Sequence, residues 1–285
     1  MTDPATGEAI LLEPLVTRIL AANPSPFTYT GTETYLVGTS DVAVIDPGPD
    51  LPEHVDALLR AIDGRRVVGI LCTHTHRDHS PASRAIKAAT GAPIIGCAAL
   101  ALDDDGPRAD AAFDRDYLPD RVLQDGDQLS GDGWTLTAVA TPGHTSNHLC
   151  FALEESGALF TGDHIMGWST SVIAPPDGDM GDYMASLDKL LGRKDRIYYP
   201  AHGEAVEKPQ RLVRGMMGHR KQREGQILRL LGKQASEIPE MVEKMYVGLD
   251  PRLTGAAGRS VLAHLIDLRQ RGIVTGAEGS AWRMS

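Results

Sequence analysis

Only three cysteines occur in this sequence, Cys72, Cys97 and Cys150, and their odd number and wide spacing argue against a disulfide framework. All three lie in or beside predicted strands and are expected as reduced thiols of the core. No apolar run reaches the length of a membrane span. The opening segment Met1-Thr-Asp-Pro-Ala-Thr-Gly-Glu8 is acidic and polar, without the basic n-region or apolar h-region of a secretory leader. A cytoplasmic protein with no membrane contact is therefore expected. No long segment has a disordered composition, and 42% hydrophobic residues in 285 suffice for a sizeable core, in one large domain or two.

What the sequence does contain is a set of metal-ligand side chains. His74, His76, Asp78 and His79 stand in Thr73-His-Thr-His-Arg-Asp-His-Ser80, after the apolar stretch Val67–Cys72, which reads as a buried strand. Residues two apart on extended backbone point the same way, so His74 and His76 can share one ion. Asp78 and His79 fall where the chain turns and face another. Ser80 and Pro81 form an N-cap and first-turn pair and Gly91 a terminator, which predicts a helix over 81–90. His144 follows the alternating strand Trp134–Ala140, Asp163 ends Ala158–Asp163, and His202 ends Arg196–His202. Four apolar segments thus deliver their ligands at C-terminal ends, using five of the ten histidines. The seven side chains can hold two zinc ions. Imidazole and carboxylate also suit manganese or iron, and the absence of a ligating cysteine argues against a sulfur-dominated structural site.

In order and spacing, the His74-x-His-x-Asp-His79 segment, Thr141-Pro-Gly-His144, Thr161-Gly-Asp163 and Pro200-Ala-His-Gly203 resemble the motifs of the metallo-β-lactamase superfamily. The resemblance implies an α/β (α+β) chain folded as a four-layer αββα sandwich with a dinuclear site along one edge. It further implies that His74, His76 and His144 bind the first zinc, that Asp78, His79 and His202 bind the second, and that Asp163 bridges them. Asp46, in Val42-Ala-Val-Ile-Asp-Pro-Gly48, matches a family aspartate that supports the metal loop from behind the ligands. Read from its neighbours alone, Asp46 is equally a turn residue before Pro47.

Beyond residue 206, Pro209–Leu231 reads as one long helix, Ile238–Val247 as a second and Ser260–Arg271 as a third, with a strand-like tail over Gly272–Met284. Three helices and a hairpin-like wing indicate a winged-helix module, dividing the chain into a catalytic domain, 1–207, and a C-terminal domain, 208–285. With Asp182-Tyr-Met-Ala-Ser-Leu187 and the Gly218–Leu228 segment, these features resemble the β-lactamase-like-protein-2 branch, some of whose members cleave single-stranded RNA. Charge divides the same way. Residues 1–205 carry 14 Lys and Arg against 30 Asp and Glu, net −16, and residues 206–285 carry 14 against 8, net +6. A basic winged helix invites contact with nucleic acid, although fold alone does not establish function. On a helical wheel, Val213, Met216, Met217, Ile227, Leu228 and Leu231 form one stripe with Arg220 and Glu224 in its middle. An Arg220–Glu224 ion pair buried at the seam between the modules is expected, with Lys221 and Arg223 solvated.

The implied chemistry is hydrolysis by a hydroxide shared between two metal ions, whose charge depresses the pKa of water from 15.7 toward roughly 7. Asp78 and Asp163 are the candidate catalytic carboxylates, Asp78 also as a proton relay. His148 and His164, each within four residues of a ligand, are candidates for donating to a leaving group, or else structural imidazoles. Trp168, Ser169 and Thr170, in the Met166–Val172 loop after Asp163, are candidates for a substrate wall. The substrate classes are single-stranded RNA or a small-molecule ester, thioester or lactam. The first expectation is a zinc-dependent single-strand endoribonuclease-like or broad-specificity metallo-hydrolase. An acyl hydrolase is the alternative, whether a glyoxalase II-like thioesterase, a lactonase or a promiscuous β-lactamase. A non-enzymatic metal sensor that binds nucleic acid is the third. Through its resemblance, Asp163 tilts away from secreted drug-hydrolysing lactamases, which typically lack it. Oligomeric state is left open, a homo-oligomer included.

Overall fold

A computed structural model describes residues 5–100 and 113–285; Met1 to Pro4, part of the segment read above for a leader, lie outside the described residues. Seven strands line up in chain order in the first sheet: β1 (Ala9–Glu13), β2 (Val16–Leu20), β3 (Glu33–Val37), β4 (Asp41–Ile45), β5 (Arg66–Cys72), β6 (Ile94–Gly96) and β7 (Arg121–Val122). The first four pair antiparallel and the rest parallel, with α1 (Pro52–Ile62) and α2 (Ser83–Thr90) as crossovers. The second sheet holds β8 (Gln128–Gly131), β9 (Trp134–Ala140), β10 (Leu149–Leu153), β11 (Ala158–Gly162) and β12 (Ile197–Pro200) in the order β12-β11-β10-β9-β8. α3 (Met180–Leu191) carries the chain from β11 to its parallel neighbour β12.

The alternation of side chains along β10 accounts for the layering. Leu149, Phe151 and Leu153 enter the core shared with the first sheet, with α1 residues Leu58 and Ile62 and with Ile86 of α2. Cys150 and Ala152 point the other way, against Tyr183 and Leu187 of α3 and Val213 and Met216 of the next helix, α4 (Pro209–Leu231). A strand buried at all five positions needs cover on both faces, and αββα is the result. After α4 come α5 (Ile238–Met245), α6 (Thr254–Gln270) and a hairpin of β13 (Val274–Thr275) with β14 (Arg283–Met284). α4 serves two cores: its first half packs on α3, while Ile227 and Leu231 join α5, α6 and the buried Trp282. Among the described residues, no helix is long and apolar enough to cross a membrane.

Four expectations need correction. Ser80 does not cap α2: the cap position is Ala82 without a side-chain bond, and the Ser80 hydroxyl donates to Asp114 Oδ2 at 3.1 Å. The helix does stop at Gly91, whose φ of 73° is left-handed. α6 starts at Thr254, ahead of the predicted Ser260, because Gly255 and Gly258 weaken the helical signal of its first turns. Arg220 and Glu224 are not a pair. Arg220 is 3% exposed, but its guanidinium donates to the Ser171 carbonyl, lies 3.5 Å from Ser260 Oγ and sits 5.2 Å over the Tyr183 ring. Glu224 is partly exposed and pairs with Arg271 at 2.6 Å. Arg223 is also not solvated: it is half-buried, 4.2 Å over the Tyr246 ring, and donates to the Met245 carbonyl.

One buried polar group clamps the two sheets together. At the start of β3, the Glu33 amide donates to the Ala201 carbonyl just past β12. The Glu33 carboxyl lies 2.5 Å from the Tyr35 hydroxyl, which also lies 2.7 Å from the Pro200 carbonyl. A phenol has one proton and a carbonyl can only accept, so Tyr35 donates to Pro200 and the short contact is best satisfied with Glu33 protonated. Burial pushes the Glu33 carboxyl up to about 7, against the lowering effect of Arg18.

These contacts make two outcomes testable. Because the folded state holds the Glu33 proton more tightly, its contribution to stability is full below the unfolded value of 4.5 and declines as pH rises toward about 7. The wild-type unfolding free energy, measured by urea titration, should fall relative to Glu33→Gln by something on the order of 2–3 kcal/mol between those limits; parallel curves would contradict the assignment. Arg220→Ala should cost about 2–3 kcal/mol, as loss of a charge-assisted hydrogen bond does. Glu224→Ala, which breaks only a surface pair, should cost under about 1 kcal/mol. Equal losses in the two variants would return Glu224 to the seam.

Candidate metal centre

Strand ends bring all seven predicted ligands together. The loop after β5 supplies His74, His76, Asp78 and His79; those after β9, β11 and β12 supply His144, Asp163 and His202. Their donor atoms fall into two groups, His74, His76, His144 and Asp163 in one and Asp78, His79 and His202 in the other, each within 4.8 Å. In the first group His76 Nδ1 lies 2.9 Å from His74 Nε2 and 3.2 Å from His144 Nε2. In the second, Asp78 Oδ2 lies 3.1 Å from His202 Nε2 and 3.4 Å from His79 Nε2. Asp163 faces both, with Oδ1 at 3.3 Å from His202 Nε2 and Oδ2 at 3.6 Å from His144 Nε2. Gly162 permits this turn: its φ is 49°, and a Cβ there would come within 2.6 Å of Thr73 Oγ1.

The far nitrogen of each ring explains why these atoms point inward. His144 Nδ1 lies 2.6 Å from the Val172 carbonyl and His202 Nδ1 3.0 Å from the Gly31 carbonyl, so both must donate there and leave Nε2 a lone pair. His79 Nδ1 faces Asp46 Oδ2 at 3.0 Å. Asp46 also accepts the Thr73 amide and hydroxyl, each at 2.7 Å, and with its hydroxyl proton committed Thr73 can accept from His74 Nδ1 at 3.0 Å. Asp46 is thus both of the things its sequence position allows. It holds a left-handed φ of 45° before Pro47, and from there it backs two ligand rings.

A cation fits this donor set. His76 Nδ1 lies within 3.2 Å of the ring nitrogens of both His74 and His144, and lone pairs crowded in this way repel unless something positive lies between them. Asp78 Oδ1, His79 Nε2, Asp163 Oδ1 and His202 Nε2 are buried with no hydrogen-bond partner. Burial disfavours charge on Asp78 and Asp163, yet the neighbouring His79 and His202 hold both carboxyls below the usual range. Burial likewise opposes charge on His79, but Asp78, Asp163 and Asp46 raise it well above its ordinary value. Two carboxylates and five imidazoles make a set of nitrogen and oxygen donors that could hold divalent metal ions.

The remaining candidates divide. His148 and His164 are buried and line neither the pocket at the metal cluster nor the neighbouring cavity. Thr141 Oγ1 lies 2.9 Å from His148 Nδ1, and His148 Nε2 accepts the Asp163 amide at 3.3 Å, so this ring positions the backbone of a ligand. His164 packs 4.8 Å from the Tyr183 ring; burial, then the neighbouring His144, lowers its pKa to about 3, so the ring is uncharged near neutrality. Trp168, Ser169 and Thr170 do border open space, in a cavity of about 320 Å³ that shares Phe27, Met166 and Val172 with the metal cluster. The Trp168 ring stacks on Tyr29 with centroids 5.0 Å apart. Sequence reasoning missed the far wall, His219, Arg223 and Tyr246 among it, and the orienting groups Thr73 and Thr141. Nothing in residue type or spacing marks a hydroxyl or carbonyl that serves by orienting a ring.

Comparison with known proteins agrees with this geometry. Residues 28–202 match the metallo-beta-lactamase superfamily, and residues 238–282 match the beta-lactamase associated winged helix domain. A beta-lactamase-like protein 2 homolog of Caenorhabditis elegans is 36% identical over 234 residues, covering 81% of this chain and 75% of the relative. An atrochrysone carboxyl ACP thioesterase of Aspergillus fumigatus is 34% identical over 231 residues, covering 79% of this chain and 67% of the relative. Among solved structures, a metallo-beta-lactamase family protein from Thermus thermophilus superposes with a TM-score of 0.77 at 23% identity, over 96% of this chain and 100% of the other. The chain belongs to the metallo-beta-lactamase superfamily and carries that superfamily's associated winged helix domain.

Proposed function

We propose that this protein is a dinuclear zinc hydrolase of small acyl substrates, thioesters foremost. The observation that carries the reading is the opening of the seven-ligand cluster, through Phe27, Met166 and Val172, onto a cavity of about 320 Å³, a volume suited to a small molecule. A thioesterase among the relatives supports the same class. Zinc held by His74, His76 and His144 on one side and Asp78, His79 and His202 on the other, with Asp163 between, would supply water ionised near neutral pH and polarise the carbonyl. The water oxygen joins the acyl carbon, the carbon–sulfur bond breaks, and the thiol leaves with a proton. Asp78, whose Oδ1 has no partner in the protein, would take the water's proton. Residues 1–207 would form the catalytic unit and 208–285 the unit that closes the cavity. Three buried, unpaired cysteines suit a reducing compartment such as the cytoplasm.

A second reading, cleavage of single-stranded RNA, draws on the net charge of +6 over residues 206–285. Zinc-replete protein should be assayed on an acyl thioester, a homoserine lactone, a chromogenic cephalosporin and single-stranded RNA, with Asp78→Ala as the blank. Thioester turnover that is lost on chelation and restored by zinc is the expected result. RNA cleavage that weakens steeply with salt, with no thioester turnover, would favour the second reading. Purified protein that holds no metal and gains nothing from added metal would sink both. Asp46→Asn removes the carboxylate behind His79 and should weaken metal retention roughly 10- to 100-fold, read by competition with a chromogenic chelator. Unaltered retention would reduce Asp46 to a turn residue.

A further inference from the structure

The cavity beside the metal cluster has one wall from the catalytic sandwich and one from the C-terminal helices. On the first are Phe27, Met166, Trp168 and Val172; on the second, His219, Arg220 and Arg223 of α4 stand beside Tyr246, Leu253 and Ser260. Three nitrogens on this second wall are buried with no hydrogen-bond partner: His219 Nδ1, Arg220 Nε and Arg223 Nε. The other guanidinium contacts of the two arginines go to neutral groups, the Ser171 and Met245 carbonyls, Ser260 Oγ and Gln226 Oε1. Among the described residues, no carboxylate forms an ion pair with either arginine, in a chain where acidic residues outnumber basic ones by 38 to 28. Burial first, then the charges of Arg220 and Arg223, lowers the pKa of His219, the sign of a positive field in this wall. Retaining two guanidiniums beside a cavity without an anion is costly unless the ligand supplies one.

We infer that this wall is a substrate subsite for an anionic oxygen group, a carboxylate or phosphate, carried by an acyl thioester with an apolar or ring-sized body. The inference rests on the thioester reading above and adds the charge of the substrate to it. Arg220 and Arg223 hold the anion, Tyr246 and Trp168 flank the apolar body, and the scissile carbonyl reaches the metal cluster past Met166. The C-terminal module is then a specificity element of the active site. Carboxylate on the acyl part and phosphate on the thiol part are the two sources of such an anion.

Three thioesters with five-carbon acyl groups separate these sources: glutaryl-N-acetylcysteamine, charged on the acyl side; pentanoyl-4′-phosphopantetheine, charged on the thiol side; and pentanoyl-N-acetylcysteamine, neutral on both. One charged substrate should exceed the neutral one in kcat/KM by about 10-fold or more, and which one does so identifies the source. Arg223→Gln should erase that advantage. Ser260→Asp, which brings a carboxylate to Arg220 from another helix, should erase it independently, while Lys221→Met, on the exposed side of α4, should preserve it. The subsite is refuted if neither charged thioester is preferred, or if the preference survives in both Arg223→Gln and Ser260→Asp.

Binding is read apart from turnover. Trp134 and Trp282 are at most 1% exposed and Trp168 is 39% exposed, so quenching by a small aromatic reports the cavity. 4-Nitrobenzoate should quench wild-type fluorescence at lower concentration than neutral 4-nitrobenzyl alcohol, and Arg223→Gln should equalise them. Failure of all three thioesters to turn over defeats the thioesterase reading. Equal quenching by the two aromatics in the wild type defeats the anion subsite.

Discussion

The convergence of five imidazole lone pairs and two carboxylates on one dry spot is the constraint around which this molecule is built. Left to themselves these atoms repel or go unpaired, as the four orphaned donor and acceptor atoms show. The fold imposes the arrangement by ending four strands of two sheets at one edge and backing the rings with fixed acceptors. Each backing group comes from a different segment: Asp46 after β4, the Gly31 carbonyl before β3, and the Val172 carbonyl from the loop after β11. His79, His202 and His144 are thus each oriented by a group outside their own loop. The sandwich core therefore contributes to metal affinity as well as to stability, because it fixes the relative heights of those segments.

Much of this was legible in the sequence. Apolar stretches followed by His or Asp gave the strands and the ligands, because a buried strand of seven residues leaves a plain hydrophobic signature and strand ends are where side chains can be aimed. The split of Asp163 between the two donor groups came only through family resemblance; no spacing rule states which oxygen faces which partner. What stayed hidden depended on three-dimensional accidents of neighbourhood. Arg220 was correctly placed inward by its wheel position, yet the wheel offered Glu224 as its partner, being the nearest opposite charge on the same helix. The actual acceptor is a backbone carbonyl from the loop after β11, and carbonyls have no sequence signature. Ser80 failed as a cap for the same reason: Asp114, distant in sequence, offered its hydroxyl a stronger acceptor.

The C-terminal helices α4 and α6 do more than pack against the sandwich. The segment between β11 and α3 carries Asp163, the Trp168 wall and the Val172 carbonyl, and it is too irregular to satisfy its own backbone. Arg220 donates to Ser171 and Arg259 donates to Pro175, so two cations of the C-terminal module complete the hydrogen bonding of this segment. α4 suits that role because it belongs to two cores and cannot move with either one alone.

A mechanical path follows from those bonds. Ser171, fixed by Arg220, immediately precedes Val172, whose carbonyl holds His144 Nδ1 at 2.6 Å and so aims Nε2 at the first donor group. Displacing the α4 arginine would remove the support of the residue beside that carbonyl, and a carbonyl that moved would no longer hold the ring at this angle. The basic character of the last 80 residues, read from sequence as a footprint for nucleic acid, thus has at least part of its explanation inside the protein. Some of those charges are spent on neutral backbone acceptors beside a cavity. Charge counted along a chain reports the sign of a surface only where the side chains reach it, and Arg220, at 3% exposure, does not.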